Sequence, residues 1–292
     1  MRILIVFASG IVSALAGLIY NFCHKHKFPV NLLLLLFAVF YTLFAAVYLL
    51  VFNEAFYSRW AMSLGICAGV TTATVIRLMF IVTTRIKLNI SWTVIQFSVL
   101  IPFFLSVALF REALSTQTLV GVVLIFIAIP FLGLGKGKGR AGPAVPNLTS
   151  GVLLFVSAFL TGVLLSIPKL YTYFEPEGGT FTLLFYAGLA MIPITLTLLL
   201  LRIQREGVNR FRPGILILSV YMALANLGTI ALLLIALLSI DGSIVYPLRT
   251  VVNVLSIFLL TFVLFREKAT ALEVVGVVIA LVGLVLVSAT MG

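Results

Sequence analysis

Charged side chains make up 9% of the 292 residues, and only eight of them are acidic. An ordinary soluble domain carries about 25%. Runs such as Val30–Phe52 and Gly214–Ile240 offer no polar face to turn toward water, which excludes a soluble fold. Two cysteines, Cys23 and Cys67, make no disulfide framework, and 22 glycines without a period exclude a collagen-like chain. The two histidines, His24 and His26, fall in one basic stretch. Cys23-His24-Lys25-His26 reads as a positively charged juxtamembrane loop rather than a metal site, since ligands so close in sequence converge poorly and Lys25 repels a cation. No Ser/His/Asp, HExxH or CxxC grouping and no nucleotide-binding glycine loop occurs, so neither an enzyme nor a cofactor is expected.

What the chain has is apolar length, with 63% hydrophobic residues. Cutting at charged or Pro/Gly-rich breaks gives ten candidate spans of about 20 residues. They are Ile3–Phe22, Val30–Phe52, Trp60–Thr83, Ile90–Phe110, Gln117–Gly135, Leu148–Pro168, Thr180–Leu201, Gly214–Ile240, Ile244–Phe265 and Ala271–Thr290. The sixth is expected to stop at Pro168-Lys169, leaving Tyr171, Tyr173 and Phe174 as an aromatic tail at headgroup level. Arg2, the apolar stretch after it and Ala14-Leu15-Ala16 have the outline of a cleavable secretory leader. The apolar run continues through Leu18, Ile19 and Tyr20, so this segment is read as a retained span.

A shift of 155 residues places Leu109-Phe110-Arg111-Glu112, Ser115 and Val120-Gly121-Val122-Val123 over Leu264-Phe265-Arg266-Glu267, Thr270 and Val275-Gly276-Val277-Val278 without a gap. Apolar helices share Leu and Val by chance, but not a charged pair, a hydroxyl and a glycine in one register. Residues 1–135 and 148–292 therefore read as two copies of five spans, joined by a linker at 136–147 that contains Gly137, Gly139, Gly142, Pro143 and Pro146. Five is odd, so the second copy enters the membrane from the opposite side. The expected fold is an all-α polytopic membrane protein of ten transmembrane helices in two inverted five-helix repeats. That arrangement recurs in secondary transporters, with substrate at the midplane where the copies meet.

Pro102 through Phe110-Arg111-Glu112 with Gly121, and again Leu264 through Glu267 with Gly276, resemble the paired EamA-type signature of the drug/metabolite transporter superfamily. In that signature a span ending in an aromatic-x-Glu turn is followed by a Gly-led final span. The resemblance covers about half the chain by motif. It implies a multi-pass transporter of the cell membrane, moving a small molecule such as an amino acid, a sugar or an organic or phosphorylated anion. Gly276 and Gly283 resemble the dimerising last helix of four-span relatives, which implies a homodimer through that helix. A monomer, with the same glycines forming a seam on the fifth span, is the other reading.

Of the 19 basic residues, thirteen lie in the loops after spans 1, 3, 5, 7 and 9, at Lys25-Lys27, Arg85-Lys87, Lys136–Arg140, Arg202–Arg212 and Arg266-Lys268. Only Arg2, Arg59, Arg111 and Lys169 lie on the other face. The positive-inside rule makes the basic face cytoplasmic and puts both termini outside, whereas the superfamily resemblance implies termini inside. The net charge of +11 is thus a topology device, and no nucleic-acid partner is expected.

The eight carboxylates all lie in loops or within about one turn of a span end. With no acid at the midplane, a proton-coupled exporter of cations is disfavoured. Two arginines do interrupt apolar spans. Arg249 follows Pro247 and shares a face of the ninth span with Tyr246 and Asn253, a phenol, a guanidinium and an amide suited to an anion. Leu248 through Ser256 also resembles the corresponding span of plastid-type sugar-phosphate translocators, with Leu248 where the lysine of their Lys-Arg pair would stand. Arg77 shares a face with Thr74 and Thr71 in the third span. Snorkelling to the interface is the alternative for both arginines. Asn226 with Thr229, and Gln96 in the fourth span, are candidates to line a cavity, with interhelical hydrogen bonding as the other reading. The expected partners are a small-molecule substrate and the lipid bilayer. The rival function is a flippase-like, lipid-handling protein whose cavity opens sideways.

Overall fold

The computed structural model describes residues 2–25, 28–85, 91, 94–112, 114–133, 148–206, 214–265 and 270–289. Within them the chain is all helix, in ten elements: α1 (Arg2–Lys25), α2 (Val30–Phe52), α3 (Arg59–Arg85), α4 (Val94–Ala108), α5 (Thr116–Gly133), α6 (Leu148–Phe174), α7 (Thr180–Glu206), α8 (Gly214–Leu237), α9 (Gly242–Phe265) and α10 (Ala271–Ala289). Seven of these, α2, α3 and α6 to α10, are long and apolar enough to cross a membrane; α1, α4 and α5 contribute the shorter apolar stretches Arg2–Gly17, Val94–Ala108 and Thr116–Leu132. Together they make a multi-pass membrane protein, because helices alone satisfy their own backbone in lipid.

The helix ends follow local chemistry. Asn53, with φ 54°, takes the left-handed conformation that closes α2. Ser115 caps α5 by accepting the Thr118 N–H at 3.0 Å. Thr270 and Glu273 form a reciprocal capping box on α10, with Thr270 N donating to Glu273 Oε2 at 2.7 Å and Glu273 N to Thr270 Oγ1 at 3.3 Å. The hydroxyl shared by the two motif copies is thus a helix start. One boundary differs from expectation: Pro168-Lys169 does not end the sixth helix, which continues to Phe174. A proline in a helix interior removes one backbone bond, and burial of Ile167, Pro168 and Tyr171 against neighbouring helices holds the turn in its absence. The sequence linker at 136–147 and residues His26 and Lys27 of the juxtamembrane loop lie outside the described residues, while Cys23-His24-Lys25 continue α1 rather than starting a loop.

Helix packing divides the apolar interior into two large clusters and a small third one, Val82, Ile95, Leu154 and Ala158, between α3, α4 and α6. One large cluster is built from α2, α3, α6, α7 and α8, the other from α1, α4, α5, α9 and α10 with the last turns of α8. The principal pairs are α5 with α10, α7 with α2 and α3, α8 with α1 and α2, α9 with α1, and α6 with α3 and α4. Small residues set how close these helices come, as expected where lipid gives no hydrophobic drive to associate. A Cβ on Gly69 would stand 2.2 Å from the Ala187 carbonyl oxygen, and one on Gly65, a turn earlier, 2.8 Å from that of Leu183. Gly121 and Gly283 face each other across α5 and α10 in the same way, and Gly276 lies against Phe131 and Leu132. The two glycines of the last helix therefore seat it on α5 of its own chain. Ala14 and Ala16, the small residues of the leader-like pattern, are buried in the bundle.

Gly69→Leu should separate α3 from α7 and lower stability by about 1–3 kcal/mol through overpacking. Gly151→Ala, on α6 with open space around the added methyl, should leave it unchanged or raise it. Thermal unfolding of the purified protein in detergent distinguishes the two, and equal midpoints would remove the α3–α7 seam as a constraint.

Candidate functional site

Arg249 sits on the eighth residue of α9 and is 8% exposed, too deep for a head that reaches the interface. Pro247, two residues earlier, removes a backbone donor from the same turn. The guanidinium is held by α1: Nε donates to Ser9 Oγ at 3.1 Å and Nη2 to Ser13 Oγ at 3.3 Å. Ser9 in turn donates to the Thr229 carbonyl at 2.9 Å. Both acceptors on the guanidinium are neutral hydroxyls, and among the described residues no carboxylate pairs with it.

This arginine lines an internal cavity of about 140 Å³ between α1, α2, α3, α6, α7, α8 and α9. Its polar wall is Ser13, Thr72, Asn226, Thr229 and Arg249, with Tyr41 adding a phenol; the rest is apolar, including Phe37, Leu164, Leu183 and Met191. The Thr229 hydroxyl is buried without a hydrogen-bond partner. Asn226 donates its amide to the Met222 carbonyl of its own helix at 2.9 Å.

The other sequence candidates are placed differently. Asn253 lies one turn beyond Arg249 and donates to the Gly10 carbonyl at 3.4 Å, while Gln96 of α4 donates to Asn253 Oδ1 at 3.1 Å. These two amides tie α4, α9 and α1 together beside the cavity rather than in its wall. Tyr246 is fully buried, its ring against Gly242 at the start of α9, and does not line the cavity. Arg77 is remote from it. Its Nη1 donates to Asn31 Oδ1 at 2.9 Å, and Asn31 Nδ2 donates to the Leu198 carbonyl at 3.0 Å, so it links α3, α2 and α7. Thr74 turns its hydroxyl back to the Val70 carbonyl at 2.8 Å. One face of the ninth helix therefore carries Tyr246, Arg249 and Asn253, and only the middle residue reaches the cavity.

Sequence reading missed Glu112, the acid of the first aromatic-x-Glu turn. Its side chain is 6% exposed; its two oxygens accept the Gly242 N–H at 3.0 Å and the Ser243 N–H at 2.8 Å, and Lys169 Nζ lies 2.5 Å away. A carboxylate on a helix N-terminus satisfies donors that have no partner in the helix and meets the positive end of its dipole. Lys169 also stands 5.5 Å from the centre of the Phe110 ring. Arg111 between them takes φ 54°, the left-handed turn that swings the acid toward α9. The signal was in the motif, but its target 130 residues away was not. On the same face, Ser58 is hydrogen-bonded to Glu175, Thr182 Oγ1 donates to the Ala55 carbonyl at 2.8 Å, and Trp60 stacks on Phe174 at 4.2 Å. These contacts join α3 and the connection before it to α6 and α7.

Burial by itself would raise the Glu112 carboxyl above its ordinary value. The Lys169 hydrogen bond and charge and the Ser243 and Gly242 N–H groups outweigh it and hold the carboxyl below. A group depressed in the folded state binds more protons when unfolded, so its stabilisation is complete above the ordinary carboxylate range, about 4.3 for a glutamate. It is lost as pH falls through the lower folded value. Glu112→Gln should cost about 1.5–3 kcal/mol at neutral pH. The gap between the unfolding midpoints of the two proteins should narrow steadily on acidification below the ordinary carboxylate range; a gap that does not change with pH would show that charge at Glu112 is not what holds the turn.

No protein-family model and no curated protein matches the chain. Among solved structures, a crystal structure described only as that of a protein superposes with a TM-score of 0.77 at 14% identity, covering 99% of this chain and 96% of that one. At that identity the likeness is one of fold: the helical arrangement seen here, over essentially its whole length, is also the fold of that protein.

Proposed function

We propose that the protein is a secondary transporter of a small polar or anionic metabolite, working by alternating access between two inverted five-helix repeats of the drug/metabolite transporter type in a cell membrane. The observation that carries this reading is Arg249, a guanidinium buried without a counter-ion and facing a central cavity. An intramembrane charge is costly and is retained where it serves a substrate path. The helix pairs support the two-copy arrangement. Exchanging each helix for the one five places on maps α1–α8 onto α6–α3, α2–α8 onto α7–α3 and α1–α9 onto α6–α4, while α2–α7 and α5–α10 map onto themselves. Glu112 and Lys169 join the two copies at one end of the cavity, which supports a state shut on that side.

The rival reading is a flippase-like protein, and one feature favours it. A shallow groove of about 490 Å³ runs along the flank between α4 and α5, lined by Phe97, Leu100, Phe126, Pro130 and other apolar residues, where an acyl chain would fit. Counterflow of a metabolite panel, set against movement of labelled lipid headgroups in the same proteoliposomes, separates the two. Flux of a soluble metabolite supports the transporter, and headgroup movement with no metabolite flux supports the rival.

Arg249→Ala should abolish flux at near-normal yield. Arg249→Lys should restore it poorly, because a point charge replaces a planar fork. Tyr246→Phe, off the cavity wall, should leave flux close to wild type. Equal transport by Arg249→Ala and wild type would remove the cavity from the substrate path.

A further inference from the structure

We infer that the ligand of the Arg249 cavity is a monocarboxylate with one compact apolar body and no second charge. This rests on the transporter reading of the same site and narrows it. The first argument is charge. Among the described residues, Arg249 is the one ionised side chain in the cavity wall, and the two serines that orient it do not neutralise it. One negative charge completes the site. A second, as in a phosphate ester or a dicarboxylate, would be buried with nothing to pair it. The ammonium of an amino acid would meet the guanidinium's own charge and no carboxylate.

The second argument is the set of open donors. With Nε and one Nη2 proton engaged by Ser9 and Ser13, the remaining Nη1 and Nη2 protons can take a carboxylate end-on. Thr229 is in the cavity wall and its hydroxyl is buried without a partner, so a carboxylate seated there would give that donor an acceptor. The third is size and surface. The larger part of the wall is apolar, with Phe37, Leu164, Leu183, Leu184 and Met191, and Tyr41 and Thr72 add neutral hydroxyls to it. The volume of about 140 Å³ is close to that of an apolar cavity that takes up benzene, about 150 Å³. A benzene ring or a branched five-carbon chain fills it.

The test uses matched ligands on the purified full chain in detergent, read by isothermal titration calorimetry. Benzoate is compared with phenyl phosphate and benzylamine, and 4-methylpentanoate with leucine, which differs from it only by the ammonium. The expected result is that each monocarboxylate binds at least tenfold more tightly than its partners and that Arg249→Gln weakens benzoate at least tenfold. Leu164→Ala, which lengthens the apolar end, should shift preference from benzoate toward 3-phenylpropanoate, a reversal that misfolding cannot produce. Leucine or phenyl phosphate binding as tightly as its monocarboxylate match would overturn the inference, as would the absence of any carboxylate binding. Counterflow in proteoliposomes keeps the two readings apart. Monocarboxylates that bind but are not moved leave the ligand class standing and remove the transporter. Another solute moved through the Arg249 cavity without monocarboxylate binding does the reverse.

Discussion

A guanidinium buried among apolar helices must find much of its hydrogen bonding in protein, and Arg249 takes two of its bonds from α1. That requirement organises the centre of the molecule. Ser9 and Ser13 reach the guanidinium only because α1 lies almost on the backbone of α9: a Cβ on Gly10 would stand 2.9 Å from the Arg249 carbonyl oxygen and 2.8 Å from Val252 Cγ1. The same approach lets Asn253 find the Gly10 carbonyl and, through its own side-chain oxygen, Gln96 of α4. Three helices from both halves of the chain thus converge around one charge. The cavity is the space left where α1, α8 and α9 meet the α2, α3, α6 and α7 cluster.

Polar groups elsewhere in the bundle follow the same logic at lower cost. Many hydroxyls inside helices, such as Thr42, Thr71, Ser157 and Thr195, turn back to the carbonyl four residues earlier and ask nothing of a neighbour. Other polar groups fix helices from different parts of the chain to one another. Asn31 between Arg77 and Leu198 is one, and Glu112 between Lys169 and the start of α9 is another. Elsewhere the fit is one of shape, with Gly65, Gly69, Gly121 and Gly283 letting backbones touch. Shape holds in lipid because close packing is what drives helices together there.

Much of this could be read before any coordinates. The ten apolar segments and the anomaly of an arginine after Pro247 are properties of short stretches, and helices stand in all ten places; that the shared hydroxyls Ser115 and Thr270 cap helices came with the structure. The Gly65-x-x-x-Gly69 seam was equally available, being a small-residue pattern on one helix face, and went unread. Helical spacing misled on one point. It puts Tyr246, Arg249 and Asn253 on one stripe, but a stripe some 10 Å long spans more than a small cavity, so one residue faces the cavity and the others meet α1, α4 or the helix start.

Sequence alone determined that this is a helical membrane protein, where most of its helices begin, and that Arg249 is out of place in lipid, because hydropathy and the cost of a buried charge are local quantities. Only the tertiary structure decided what Arg249 meets. Its partner Ser9 is 240 residues away, Glu112 meets Ser243 across 131, and Gln96 meets Asn253 across 157. Such pairs depend on which helix faces meet, and in an apolar chain nearly every face offers the same surface. A few glycines and a few unpaired donors choose among the alternatives, and their effect exists only once the helices are packed.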